Sequence, residues 1–395
     1  MKSEWQEKFL SEIADIQTGP FGSQLHKNDY VDFGTPIVTV EHLGEKQFST
    51  QNLPKVSDID KIRLNKYILA EGDMVFSRVG SVDRCSYVDA KYDGWMFSGR
   101  CLRVRPNSNI VDAEFLYYYF TTESVKQYIR NIAVGATMPS INTRLISEVK
   151  VLVPNLAEQR VISAILSALD ARIANNNAIN HHLEQMAQAI YAQFFPYDDS
   201  PTMPIGELID VRDGTHDSPK PVEHGFPLVT SKHLLPYGLD LASPNRISKA
   251  DFDKVNERSK VDRHDILISM IGTIGLISLV TERKINFAIK NVGLFKTSQS
   301  EDWIYFVLCF LRSPEIKNHI DMRLAGSTQK YISLGELRQL PLVKPDSVKL
   351  RDFNDSVRTL FEKITLNTEE STRLTVLRDT LLPRLMSGEL SVAAK

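Results

Sequence analysis

Little in this sequence announces a chemistry. It holds three cysteines, Cys85, Cys101 and Cys309, an odd and widely spaced set. That pattern matches neither a disulfide framework nor a zinc site, and it fits a reducing cytosol. No stretch approaches the roughly 18 apolar residues that a membrane-spanning helix needs. The opening MKSEWQEKFL has no apolar core, so no signal peptide is expected there and the expected location is cytoplasmic. Charge of neither sign is in excess: 47 Lys and Arg against 49 Asp and Glu leave a net charge of −2. Nucleic-acid binders are often strongly basic, so a DNA partner would require positive charge gathered locally or shared with other subunits.

Catalytic signatures are missing too. There is no Gly-x4-Gly-Lys-Ser/Thr to cradle a phosphate. There is no Asn/Asp-Pro-Pro-Tyr/Phe loop of an amino-methyltransferase; FFPYDDSP (194–201) holds a Pro-Tyr without the motif. Glu148-Val-Lys150 has nuclease-like spacing but reads better as a strand end of alternating charge. His181 and His182 are adjacent on a predicted helix, so they face different sides and lack partners four residues away. No catalytic group, metal ligand or cofactor site is assigned to the chain.

What is there is a repeat. GTPIVTVEHL (34–43) and GFPLVTSKHL (225–234) share Gly, Pro, Val, Thr, His and Leu at the same six places, 191 residues apart. The same offset aligns GATMPSINTRLISEVKVLVPN (135–155) with GSTQKYISLGELRQLPLVKPD (326–346), pairing Gly135 with Gly326, Thr137 with Thr328, Ile141 with Ile332 and Pro154 with Pro345. GDMVFSRVGS (72–81) resembles HDILISMIGT (264–273) at 192, and LSEIADIQTG (10–19) resembles IGELIDVRDG (205–214) at 195. The chain is a tandem duplication of a unit of about 190 residues.

Each unit has two parts. The first is mixed: TPIVTV, DMVFSRV, CLRVRP, ILISMI and VGLFKT are short, β-rich and bounded by turn residues, so they predict strands. Residues 113–132 and 303–320 are amphipathic and predict helices. The second part of each unit predicts one long helix. The expected organisation is a first mixed domain at 1–154, a helix at 155–196, a second mixed domain at 197–346, and a helix with a C-terminal tail at 347–395.

The helices carry the clearest periodicity. Asn155 is a suitable N-cap answered by Glu158, and Pro196 ends the run. A 4–3 spacing picks out Ile162, Leu166, Leu169, Ile173, Asn176, Asn180, Leu183, Ala187 and Ile190, the 3.5-residue repeat of a coiled-coil seam. Moved by 191, it becomes Phe353, Val357, Leu360, Ile364, Asn367, Ser371, Leu374, Arg378 and Leu381, apolar except at the polar centre and Arg378. Matching polar centres suit antiparallel and parallel pairing alike; connectivity favours antiparallel. The fold class expected is α+β: two similar mixed domains separated by two long antiparallel coiled-coil helices, with pseudo-two-fold symmetry. At about 1.5 Å per residue, a 40-residue helix spans roughly 60 Å.

This order of parts resembles the specificity subunit of type I restriction–modification systems. PNLAEQRVISAILSALDARIANNNAINHHLEQMAQAIYAQFF (154–195) is similar to the family's central conserved helix, and TRLTVLRDTLLPRLMSGELSV (372–392) to its distal conserved region. IQTGPFGSQL (16–25) and VRDGTHDSPKP (211–221) resemble openings of its target-recognition domains. The second helix departs at SVKLRDF (347–353), which lacks the pair seen at Glu158 and Gln159. The resemblance implies that each mixed domain reads one half of a bipartite, gapped double-stranded DNA site and that the helices set the gap. It implies two modification subunits that methylate adenine with S-adenosylmethionine, and two motor-nuclease (restriction) subunits that use ATP and Mg. It implies a chain that does no chemistry itself.

Candidate DNA contacts are polar residues on loops between strands, because Arg and Lys hold phosphates and read guanine while Asn, Ser and Thr read adenine or fix the backbone. In the first domain these are Arg78, Ser81, Arg84, Arg100, Asn142, Thr143 and Arg144. In the second they are Thr215, His216, Lys232, His233, Lys290, Asn291, Lys330 and Tyr331. His42 and His233 recur in the repeated phrase and read slightly better as braces of a turn. Specificity is expected where the copies differ, as in GPFGSQL against GTHDSPKP. Two other readings stay open from sequence: a self-contained DNA methyltransferase or nuclease with duplicated recognition domains, and an adaptor whose domains bind proteins.

Overall fold

The computed structural model describes residues 5–197, 200–326 and 330–392; Thr328 of the aligned repeat lies outside them. The fold is α+β. It divides into two compact units, Met1–Arg172 with Arg373–Lys395, and Ile173–Thr372.

Both units are built on the same four-stranded antiparallel sheet. In the first unit its order is Ala14–Thr18, Cys101–Pro106, Met74–Ser77, Cys85–Tyr87. In the second it is Val211–Asp213, Val292–Phe295, Ile266–Ser269, Ile277–Leu279. The central strands MVFS and ILIS are buried at every position, which is why they read as continuous apolar runs without alternation. The turn before each is fixed by an aspartate. Asp73 accepts from the Ala70 amide at 2.8 Å and pairs with Arg105 at 2.7 Å. Asp265 accepts from the Asp262 amide at 2.7 Å and pairs with Lys296 at 2.5 Å.

The repeated phrase opens a second sheet. Thr35–Val38 pairs antiparallel with Lys55–Val56 and parallel with Met96–Phe97. Phe226–Val229 pairs antiparallel with Arg246–Ile247 and parallel with Ala288–Ile289. The shared Gly, Val, Thr, His and Leu have scaffold roles. A Cβ at Gly34 would meet the Val56 carbonyl at 2.1 Å, and one at Gly225 would meet the Ile247 carbonyl at 2.1 Å. Val38 and Val229 fill cores. The backbone amides of Thr39 and Thr230 donate to Nδ1 of His42 (3.2 Å) and His233 (2.9 Å), closing a turn that Leu43 and Leu234 bury.

The stretches predicted as single helices at 113–132 and 303–320 are each two helices. Ala113–Thr121 and Glu123–Ile132 break at Thr122; Ile304–Arg312 and Pro314–Met322 break at Ser313. Both break residues have extended backbones with φ −65°. Ser313 precedes a proline, which disfavours the helical conformation, and its hydroxyl accepts from the Ile316 amide at 3.4 Å. The Thr122 hydroxyl turns back to the Tyr119 carbonyl at 2.8 Å. These hydroxyls compete with the helix for backbone groups.

The long helices run Leu156–Phe194 and Ser347–Met386. The first starts on Asn155, whose Oδ1 accepts from the Glu158 amide at 3.0 Å. The second starts on Asp346, whose Oδ1 accepts from Val348 and Lys349 at 3.0 and 2.9 Å. In the first unit, Ile162 and Leu166 share a core with Leu385 and Met386. Arg378, the charged exception in the seam, meets Asp170 at 2.9 Å, and Asp170 also accepts from the Tyr118 hydroxyl at 2.5 Å. In the second unit, Leu183 and Ala187 pack with Phe353, Val357, Leu360 and Ile364. Asn176 donates to Glu370 at 2.9 Å and to Ser371 at 3.3 Å. Asn367 donates to Asn180 at 2.8 Å. Higher numbers on one helix meet lower numbers on the other, so the pairing within each unit is antiparallel. Leu169, Ile173 and Leu374 are partly buried.

Candidate nucleic-acid interface

In the first unit, four loops interlock at one end of the central sheet. Arg78 donates its backbone amide to the Arg100 carbonyl at 2.9 Å, and Ile141 donates to the Arg78 carbonyl at 2.9 Å. Gly80 donates to Pro139 at 2.8 Å, and Gly19 to Cys101 at 3.2 Å. A Cβ on Gly19 would lie 2.1 Å from the Ser98 carbonyl oxygen, and one on Gly99 would lie 2.3 Å from that of Pro20. Two backbones therefore pass at a separation that only glycine permits.

The side chains at this crossing differ in use. Arg78 is half-buried, donates to the Gly99 carbonyl at 3.3 Å, and places its guanidinium 5.8 Å from the centroid of the Phe21 ring. Arg100 and Ser81 are exposed. The Arg84 guanidinium donates to the Leu43 carbonyl, so part of it braces the scaffold. Asn142 caps the helix Thr143–Ser147, accepting from the Leu145 amide at 2.9 Å. Thr143 is half-buried, and the exposed Arg144 meets Glu148 at 3.3 Å.

The second unit repeats the crossing with other chemistry. Gly214 donates to Val292 at 2.9 Å, and its missing Cβ would meet the Ile289 carbonyl oxygen at 2.4 Å. Thr215 donates to Ile289 at 3.0 Å, and Asn291, at φ +53°, donates to Thr215 at 3.2 Å. His216 stands where Phe21 stands in the first copy. Its Nε2 faces Asp213 at 3.0 Å and its Nδ1 faces Asn291 Oδ1 at 2.8 Å. Asp213 also pairs with Arg258. Lys290 reaches the Ser218 hydroxyl at 2.5 Å. Lys330 and Tyr331 are exposed on a loop that Ile332 ties to the Met270 carbonyl at 3.0 Å. Lys232 is exposed, but its neighbour His233 is only 3% exposed and is held in its own turn. Burial, followed by the adjacent Lys232 charge, lowers the His233 pKa.

Sequence reasoning passed over Phe21. Its signal was present: an aromatic ring directly after Gly-Pro in a loop whose counterpart carries a candidate histidine. Reactive groups are not in evidence at either crossing. Burial pushes the Cys85 and Cys101 thiols up to about 12, and the Cys309 thiol is raised as well, so none presents a ready thiolate. Among the described residues no group of three or more His, Cys, Asp and Glu is placed to hold a metal ion. Among them too, no helix is long and apolar enough to cross a membrane.

Two copies of one scaffold, each offering a different cluster of polar and aromatic loop residues, define a class of duplicated recognition proteins. Comparison with known proteins is consistent with that. The model of the type I restriction modification DNA specificity domain matches residues 2–185. The type I restriction enzyme MjaIX specificity subunit of Methanocaldococcus jannaschii is 25% identical over 316 residues, covering 73% of this chain and 71% of its own. The HindI specificity subunit of Haemophilus influenzae is 23% identical over 474 aligned positions, covering 98% of this chain and all of its own. The crystal structure of a type I system S subunit from M. genitalium superposes with a TM-score of 0.55 at 18% identity, covering 97% of this chain and 96% of that one, and so shares the fold. Residues 2–185 match the type I restriction modification DNA specificity domain, and most of the chain is similar to type I restriction enzyme specificity subunits.

Proposed function

We propose that the loop crossing in each mixed domain reads one half of a bipartite DNA site, and that the paired long helices fix the length of the unread gap. The chain is a non-catalytic DNA sequence-recognition subunit that acts in complexes with DNA and other subunits. The observation that carries the reading is the duplicated crossing, in which Phe21, Arg78 and Arg100 in one copy stand where His216, Met270 and Asn291 stand in the other. Two similar readers with different side chains suit a linear polymer whose halves differ in sequence.

Recognition is divided between residues 1–154 and 197–346, with 155–196 and 347–395 serving as spacer and docking elements. Arg78, Ser81, Arg100, Asn142, Thr143 and Arg144 face the first half-site. Thr215, His216, Lys232, Lys290, Asn291, Lys330 and Tyr331 face the second. Arg84 and His233 act mainly as braces. Two modification subunits and two motor-nuclease subunits assemble on the chain in the cytoplasm, and they supply the S-adenosylmethionine, ATP and Mg chemistry. With a net charge of −2, the chain alone binds DNA weakly and shares basic surface with its partners.

The test is a methylome. The chain is expressed with its modification subunit in a methylation-free host, and the DNA is sequenced for N6-methyladenine. A gapped motif with one methylated adenine per strand is expected. Replacing residues 1–155 by another such domain should change one half of the motif only. A stable complex that adds no methylation would count against the reading, as would a chimera that alters both halves.

A further inference from the structure

We propose that Arg78 reads a guanine in the first half-site and that Phe21 is the positioning residue that aims its guanidinium. This rests on the reading of the crossing as a DNA-recognition site. Phe21 is 56% exposed, yet its backbone is fixed: its carbonyl accepts from Gln24 at 2.8 Å and from Leu25 at 3.1 Å, and its Cα lies 3.7 Å from where a Gly99 Cβ would stand. The guanidinium of Arg78 is held from two directions, by the Phe21 ring at 5.8 Å and by the Gly99 carbonyl at 3.3 Å. Its other N–H groups have no acceptor among the described residues. A planar donor fork, already oriented and without an internal carboxylate, matches the O6 and N7 acceptors that guanine shows in the major groove. The cation–π contact with the ring and the bond to Gly99 reduce rotamer freedom that a lone surface arginine would lose on binding. The second domain has Met270 in the place of Arg78 and a hydrogen-bonded His216 in the place of Phe21, so the device belongs to one half-site alone.

The experiment uses the complex of the full chain with its modification subunit, acting on a library in which every position of both half-sites is varied. Arg78→Lys keeps the charge and loses the fork. It should cut discrimination at one guanine of the first half-site by about ten- to a hundredfold and leave the other positions unchanged. Phe21→Ala should relax the same position by about two- to fivefold, whereas Phe21→Tyr, which keeps the ring, should restore it. A merely structural role for Phe21 would lower methylation evenly across all positions, and that outcome overturns the proposal. So does a wild-type gapped motif that neither Arg78→Lys nor Phe21→Ala alters. A wild-type complex that yields no bipartite motif overturns the recognition reading as well.

Discussion

The two mixed domains solve one structural problem with different charges. At the turn before the central strand, Asp73 is covered by Arg105, whose side chain is 39% exposed. At the equivalent point Asp265 is covered by Lys296, only 4% exposed. One cation rests at the surface; the other is enclosed and also reaches Asp262 at 2.8 Å. The helix pair shows a second contrast, between contacts that the repeat does not relate. The half within the first unit carries a partly exposed ion pair, Arg378 with Asp170. The half within the second carries a buried amide network of Asn176, Asn180 and Asn367. At the turn, duplication has kept the position of the ion pair and changed how much water it sees; along the helices it has not kept the contact, since the offset takes Asp170 to Phe361 and Arg378 to Ala187.

That difference can be broken by substitution. The largest effect is expected at the ion pairs. Asp265→Asn leaves an enclosed ammonium with one partner fewer and should cost about 3 kcal/mol in urea unfolding of the full chain. Asp73→Asn leaves Arg105 able to turn to solvent and should cost about 1 kcal/mol. Equal costs would mean that enclosure is not what separates the copies. Next come the helices. Asn180→Leu strands the Asn367 amide and should cost about 1–3 kcal/mol. Replacing both asparagines by leucine should recover that loss or exceed it. Arg378→Leu should change stability by less than about 1 kcal/mol, because Asp170 keeps the Tyr118 hydroxyl and some solvent.

The smallest expected effect is a slope with pH. His233, His264 and His319, all in the second unit, have pKa values lowered by burial first and by neighbouring Lys232, Arg263 and Arg323 second. A folded-state imidazole pKa below the unfolded value of about 6.5 means that protons favour the unfolded chain. Their contribution is therefore complete above about 6.5 and is lost as pH falls through the lowered values. Urea midpoints taken from pH 8 down to 5 should fall, and His233→Asn should flatten the decline. An unchanged slope in that variant would remove His233 from the account.

How much of this was legible in the sequence varies with the range of the interaction. The seam positions could be read because a helix repeats its contacts every few residues; Ile162, Leu166, Phe353 and Val357 declare themselves by spacing. The repeated phrase could be read as scaffold because both copies keep it, although the reasons for Gly34 and Gly225 lie in carbonyls from other strands. The breaks at Thr122 and Ser313 were harder. Both sit inside continuous amphipathic patterns, and only a hydroxyl, helped at Ser313 by a following proline, marks the stop. Arg378 looked like a flaw in the seam because Asp170 lies 208 residues away. The cation–π contact of Arg78 with Phe21 joins two loops 57 residues apart in number, and no local pattern predicts such a meeting.

The glycine crossings carry a consequence for how such a chain changes over generations. Gly19 and Gly99 in the first domain, and Gly214 in the second, let the loop backbones pass at main-chain contact. The residue at the tip differs, phenylalanine in one copy and histidine in the other, and only the histidine adds side-chain hydrogen bonds, to Asp213 and Asn291. A new side chain can arrive there without first having to solve the fold. On the proposed reading of the crossing, the target can then drift base by base while the protein around it stays still, much as a lock cylinder is re-pinned without recasting its housing.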